Sequence, residues 1–241
     1  MTKRRIDSLM VDRGLVESQA KAQALIMAGK VEVEGKAAIK PGTLVTESAI
    51  ITIAEPPPFV SRGGIKLEYA LDQFQLDVAA KAVADIGAST GGFTDCLLKR
   101  GASRVYAIDV GYGQLDYRLR QDSRVVVMDR VNARYPISLS EKVDLVTLDL
   151  SFISVEKVIP SVARLLKEDG HLLVLIKPQF EARRDEVGRG GVIKQPIVHA
   201  RVLGRFIVWA IEQGFRLKGL VASPILGASG NKEFFVLLRL T

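Results

Sequence analysis

The sequence predicts an α/β fold: a doubly wound, mostly parallel sheet preceded by a small α+β module. Three observations predict it. From Val83 onward, short apolar runs alternate with stretches of helical spacing, the pattern of strands joined by crossover helices. Five of those runs stop at a charged residue, at Asp85, Asp109, Asp129, Asp149 and Lys177. Finally, Pro56-Pro57-Pro58 can continue neither a helix nor a sheet, and it divides the 241-residue chain. The expected organisation is a module over 1–55, a linker over 56–59 and a main domain over 60–241.

In the first part, Arg5–Val11 has helical spacing, with Ile6, Leu9 and Met10 on one face. Ser18 is a candidate N-cap for a second helix over 19–28, which Gly29 closes. Val31 and Val33 alternate with polar residues, Glu34-Gly35 turns, and Ala49–Ala54 supplies another strand. The stretch G-L-V-E-S-Q-A-K-A-Q-A-L-I-M-A-G-K-V-E-V-E-G resembles the S-four-type RNA-binding module, which presents basic helices to folded RNA. That resemblance implies RNA contacts at Lys3, Arg4, Arg5, Arg13, Lys21 and Lys30. Such modules usually carry Ser-Arg where this chain has Ser18-Gln19, so the resemblance carries no phosphate contact over to Gln19, and Lys21 is its partial replacement.

Beyond the prolines, Ser61-Arg62-Gly63-Gly64 reads as a turn and Ile65–Phe74 as a helix, with Lys66 in its first turn. Then comes V-A-D-I-G-A-S-T-G-G-F-T over Val83–Thr94: a strand, a glycine-rich turn and a helix. Its spacing is neither the dinucleotide fingerprint nor a phosphate loop. An acid before the turn disfavours a pyrophosphate and suits a cationic ligand carrying hydroxyls and an amine, such as S-adenosylmethionine. The turn offers Asp85, Gly87, Ser89, Thr90, Gly91 and Gly92 to such a ligand. Further strands are read at Val105–Val110, Val125–Met128, Val143–Leu148, Leu172–Ile176, Val221–Pro224 and Phe234–Leu240, with a helix over Ile197–Gln213. In such sheets ligands bind beyond the carboxyl ends of the strands. Asp109 after the second strand suits a ribose diol, and Asp129 after the third suits an adenine amine, with Asn132 just beyond. The segment Glu181–Lys194, rich in glycine and basic residues, reads as a mobile loop beside Lys177, with Arg183 and Arg184 available to RNA phosphates. Arg62 is a further RNA candidate.

The motifs V-S-R-G-G-I-K-L, D-I-G-A-S-T-G-G-F-T-D-C-L-L, D-L-S-F-I-S, L-I-K-P-Q-F-E and G-N-K-E-F-F resemble the TlyA/hemolysin-A family, rRNA 2'-O-methyltransferases in which an RNA-binding module precedes an FtsJ-like domain. The resemblance runs from about Arg4 to Leu240. It implies a Rossmann-like methyltransferase sheet, S-adenosylmethionine as cofactor, ribosomal RNA or ribosomal subunits as partner, a cytidine ribose as target, and a Lys-Asp-Lys-Glu tetrad at Lys66, Asp149, Lys177 and Glu233. The chemistry agrees with such a set. A ribose 2'-hydroxyl is a weak nucleophile, so the site must align it with the methyl group and remove one proton. A lysine does this only in its neutral form, which partial burial and a second cation favour and flanking carboxylates oppose. Lys177 is the expected base, Lys66 its cationic neighbour, and Asp149 and Glu233 orient the two.

Composition narrows the alternatives. With 48% hydrophobic and 25% charged residues the chain has ordinary globular proportions. Its net charge of +7 favours a polyanionic partner. One cysteine, Cys96, rules out an intrachain disulfide and fits a reducing, cytoplasmic setting, and with only two histidines no structural zinc is expected. No run is long enough to cross a bilayer, and M-T-K-R-R-I-D is followed by no apolar signal core, so neither a membrane nor a metal is expected. These features argue against a lytic protein. A non-catalytic RNA-binding or ribosome-assembly factor is the other alternative, against which the intact glycine turn and tetrad weigh.

Overall fold

The structure is a computed structural model that describes residues 2–38, 40–54, 57–188 and 190–240. Pro56, within the expected linker, lies outside the described residues. The chain divides into two compact units, Met1–Pro57 and Pro58–Thr241.

The first unit contains β1 (Lys3–Arg5), α1 (Ile6–Asp12), α2 (Gln19–Met27), β2 (Val31–Val33), β3 (Lys36–Ala37), β4 (Leu44–Thr46) and β5 (Ile51–Ile53). Ser18 caps α2 by accepting from the Lys21 N–H, and Gly29 closes it at a φ of +67°. β1 pairs antiparallel with β4, and β3, β2 and β5 form a second small sheet. Ile6, Leu9 and Met10 are buried against Ala22, Ile26 and Val31, so the apolar stripe of α1 is the core face. Short strands such as β1, β3 and β4 carry too little periodicity to be read from the sequence, and they escaped it.

The second unit contains α3 (Gly63–Gln73), β6 (Ala82–Ile86), α4 (Gly92–Lys99), β7 (Arg104–Ile108), α5 (Tyr117–Arg120), β8 (Val125–Met128), β9 (Val143–Leu148), α6 (Ile159–Val162), β10 (Leu166–Ile176), α7 (Pro178–Glu181), α8 (Pro196–Glu212), β11 (Phe215–Ala222) and β12 (Phe234–Leu240). Its seven-stranded sheet has the order β11-β12-β10-β9-β6-β7-β8. Pairing is parallel from β10 to β8, while β12 runs antiparallel to both β10 and β11. The sheet is therefore doubly wound and mostly parallel.

Side chains alternate across each strand. Ala82, Ala84 and Ile86 of β6 join one core layer with α8, whereas Val83 joins the other layer with α3 and α4. Leu145 of β9, Leu173 and Leu175 of β10, and Phe235 and Leu237 of β12 lie on that second face. Continuing the same alternation past the strand ends carries Asp149, Lys177 and Glu233 to the α3 side.

Several boundaries differ from the sequence reading. α3 begins at Gly63, because Gly63 and Gly64 lie inside the helix rather than in a turn before it. Glycine is required there by packing: a Cβ on Gly64 would fall 2.2 Å from the Phe59 ring, and one on Gly92 2.2 Å from Ser61 Oγ. β11 covers the eight residues Phe215–Ala222, starting and ending earlier than the expected Val221–Pro224. β10 begins at Leu166, with a register irregularity between Leu166 and His171 on β9.

Candidate active site

At the carboxyl edge of the sheet the structure brings Lys66, Asp149, Lys177 and Glu233 to one cavity. Lys66 from the first turn of α3 has its Nζ 2.6 Å from Glu233 Oε2, and this pair is buried, with side chains 11% and 3% exposed. Lys177, the residue after β10, has its Nζ 2.7 Å from Asp149 Oδ1 and donates to Ser151 Oγ at 2.8 Å. All four line one cavity of ≈ 250 Å³, together with Ser61, Arg62, Gly87, Ser89, Thr90 and Gly92. The sequence grouped the two lysines as neighbours; the structure gives each lysine its own carboxylate. Ser151, which completes the Lys177 contact, was not singled out beforehand, although it lies within D-L-S-F-I-S.

A second cavity of ≈ 550 Å³ adjoins the first and shares Gly87, Ser89 and Asp149 with it. Asp109, Asn132, Arg134 and Phe152 also line it. Asp109 accepts the Ser89 N–H at 2.8 Å through one carboxylate oxygen and the Gly111 N–H at 2.7 Å through the other. The acid is thereby fixed at the cavity wall with lone pairs remaining for a diol. Gly87 has a φ of +86°, and a Cβ on it would fall 2.4 Å from the Asp149 carbonyl oxygen. That position demands glycine on both counts. Gly91, at a φ of +95°, packs against Leu115 and Leu119 and lines neither cavity. Its role is to turn the chain into α4.

Two of the strand-end acids are placed otherwise than expected. Asp85 is fully buried and lines neither cavity. It accepts from Thr94 Oγ1 of α4 at 2.7 Å and from Thr147 Oγ1 of β9 at 3.0 Å. Alternation along β6 points it at the α4 face, so it props the glycine turn from beneath instead of meeting a ligand. Burial pushes its carboxyl up to about 7, and nearby Asp149 adds to the shift while the two threonines oppose it. Asp129 likewise stands outside both cavities. It receives the Arg120 guanidinium at 3.1 and 3.0 Å and the Gly113 N–H at 3.2 Å, and the arginine holds its carboxyl below the ordinary range. An adenine-amine contact at Asp129 does not fit that geometry.

Glu181–Lys194 is also more tightly held than a mobile loop would be, judged on its described residues. Glu186 takes Arg201 and Arg205 of α8, Glu181 accepts the Val155 N–H, and Asn231 grips Gly191 and Ile193. Arg183 and Arg184 remain exposed at its start.

In the first unit, three of the six basic candidates have partners within the module. Arg4 pairs with Asp12, and Arg13 donates to the carbonyls of Glu47 and Ala49. Arg5 grips Asp7 through two bonds, at 3.0 and 2.7 Å. Asp7 is wholly buried and also accepts from Gln19 and Gln23 of α2, and Arg5 holds its carboxyl well below the usual range. Gln19, where arginine is usual, thus binds α2 to α1. Lys3, Lys21 and Lys30 are exposed and have no ion-pair partner among the described residues.

A family profile described as FtsJ-like methyltransferase matches residues 59–240, and one described as S4 domain matches residues 4–51. The chain belongs to the FtsJ-like methyltransferase family. A relative from Mycobacterium tuberculosis named 16S/23S rRNA (cytidine-2'-O)-methyltransferase TlyA is 46% identical over 98% of this chain and 89% of its own length. One from Brachyspira hyodysenteriae named Hemolysin A is 41% identical over 95% of this chain and 97% of its own. A hemolysin-named solved structure from Streptococcus thermophilus superposes with a TM-score of 0.76 at 41% identity, covering 100% of this chain and 90% of that one. This FtsJ-like chain has, among its described residues, no helix long and apolar enough to cross a membrane and no cluster of metal-ligating side chains.

Proposed function

We propose that the chain transfers a methyl group from S-adenosylmethionine to the 2'-hydroxyl of a ribosomal RNA ribose, that of a cytidine. The observation that carries this reading is the shared wall of Gly87, Ser89 and Asp149 between two cavities. One is large enough for a nucleoside and bears Asp109 and Asn132, and the other is lined by two lysine–carboxylate pairs. A lining of glycine backbone with a fixed acid and an amide suits an adenosine ribose and the amino-acid end of the cofactor. The cofactor supplies, when bound, an electrophilic methyl group whose departure needs no acid.

The chain's own residues supply alignment and a proton acceptor. Lys177 in its neutral form takes the hydroxyl proton at Nζ, while Asp149 and Ser151 fix that head group. Lys66, oriented by Glu233, steers the ribose and its phosphate across the same cavity. Arg62 at the rim, Arg183 and Arg184 beyond it, and Lys3, Lys21 and Lys30 of the S4 module attract the RNA backbone. The relatives named as rRNA cytidine-2'-O-methyltransferases support ribosomal RNA as the acceptor.

The test is methyl transfer from labelled S-adenosylmethionine to ribosomal subunits and to naked rRNA, with wild type and Lys177→Ala side by side and nucleoside analysis of the product. Label on a ribose 2'-oxygen that drops ~10²–10⁴-fold in the variant is the expected result. Bound cofactor with no transfer to any ribosomal RNA would overturn the reading and leave a non-catalytic binding factor.

A further inference from the structure

Asn231 is a buried amide, 1% exposed, that lines neither cavity of the site. Both ends of its side chain are engaged. Oδ1 accepts the Ile193 N–H at 2.9 Å and Nδ2 donates to the Gly191 carbonyl at 2.9 Å. Its own carbonyl accepts the Gly227 N–H at 2.9 Å, and the Gly230 N–H bonds back to the Gly227 carbonyl at 2.9 Å. These bonds close a tight turn two residues ahead of Glu233, whose carbonyl accepts the Ser223 N–H at 2.8 Å. The Glu233 carboxylate folds back over this turn: a Cβ on Gly227 would fall 2.3 Å from Oε1 and 3.0 Å from Cδ. Gly227 has no left-handed backbone, so its lack of a side chain answers to that close approach alone.

We infer that Asn231 and Gly227 are positioning residues for Glu233, setting its carboxylate on Lys66 and tying it to the segment that follows Lys177. The inference deepens the proposed function and rests on it for its kinetic consequence. One side of the device is the floor that Gly227 leaves open beneath the carboxylate. The other is the clamp on Gly191 and Ile193, which joins the chain leaving β10 to the chain entering β12. Two peptide groups lose their partners when the amide is removed, Ile193 among them at 4% exposure. The stretch 190–194 then loses this anchor while 183–186 keep the Glu186 pairs with Arg201 and Arg205, and the turn loosens with it. A displacement of about 1 Å at a group that aligns the substrate costs on the order of 100-fold in turnover.

The test uses full-length wild type, Gly227→Ala and Asn231→Ala, with labelled S-adenosylmethionine and ribosomal RNA. Gly227→Ala leaves the clamp intact and is expected to lower kcat ~10–100-fold, with cofactor affinity within about twofold of wild type and trypsin cleavage at Lys194, beside the clamped Ile193, unchanged. Asn231→Ala is expected to lower kcat similarly and to speed that cleavage. Wild-type kcat in either variant overturns the inference, as does a fall in kcat matched by lost cofactor affinity and lost melting temperature. A crystal structure of Gly227→Ala gives a readout independent of the substrate. The Lys66–Glu233 contact is expected to lengthen beyond 2.6 Å, and an unchanged contact overturns the inference even if wild type itself methylates no ribosomal RNA.

Discussion

Asp85 and Asp149 belong to neighbouring strands, β6 and β9, and read alike in the sequence, yet the chain treats them as opposites. Asp85 lies within its strand, in register with Thr147, and is closed over by α4. Asp149 lies one residue past the end of β9 and pairs directly with Lys177 at 2.7 Å in the wall of a cavity. Asp109 and Asp129 repeat the contrast on β7 and β8, one held at a cavity wall by backbone N–H groups and the other taken by Arg120. An acid near a strand end thus lines a cavity in this sheet where neither a helix nor an arginine reaches it first.

Substitutions can break or sharpen that contrast. The largest effect is expected from Asp149→Ala, which leaves Lys177 unoriented: kcat should fall ~10²–10⁴-fold with cofactor affinity little changed, as measured by single-turnover transfer and calorimetry. Near-normal turnover would place Asp149 with the structural acids.

Asp85→Asn should act on stability instead. The folded chain holds the Asp85 proton until about pH 7, whereas the unfolded chain releases it near ~3.9. Stability from this group is therefore complete below ~3.9 and is lost as pH rises through about 7, a swing on the order of a few kcal/mol. The variant, which cannot ionise, should gain on wild type in melting temperature between pH 5 and 8, with catalysis largely kept. A difference between the two proteins that stays flat across that range would contradict the burial argument.

Asp109→Ala comes next, with cofactor affinity weakened ~10–100-fold, the effect of removing a charged acceptor from a ribose, while kcat at saturation holds. Asp129→Asn should be the mildest. Among the described residues its hydrogen-bond partners are Arg120 and Gly113, so cofactor affinity should stay within about threefold of wild type, and a larger loss in a direct titration would return Asp129 to the cofactor site.

The N-terminal unit carries the same contrast in its basic residues. Six were legible as an RNA face, yet Arg4, Arg5 and Arg13 each hold a partner inside the module. The buried Asp7 that collects Arg5, Gln19 and Gln23 gave no warning, because a single acid beside two arginines on a short helix reads as surface charge.

The sequence by itself determined the alternation of strand and helix, the glycine turn between β6 and α4, the apolar face of α1 and the cap and stop of α2, because all of these are local. Turn geometry and side-chain period are written in residues that adjoin one another. It also carried Lys66, Asp149, Lys177 and Glu233, as residues within motifs. Only the tertiary structure decided that they share a cavity. That depends on β9 lying between β6 and β10, and on β12 entering antiparallel beside β10, so that Ile176 pairs with Phe234 and the chain leaving one strand meets the chain entering the other. Strand order is set by contacts between residues far apart in the chain, which local patterns leave unspecified. For the same reason the burial of Asp85 and the grip of Asn231 on Gly191 and Ile193 became visible only once the strands were paired.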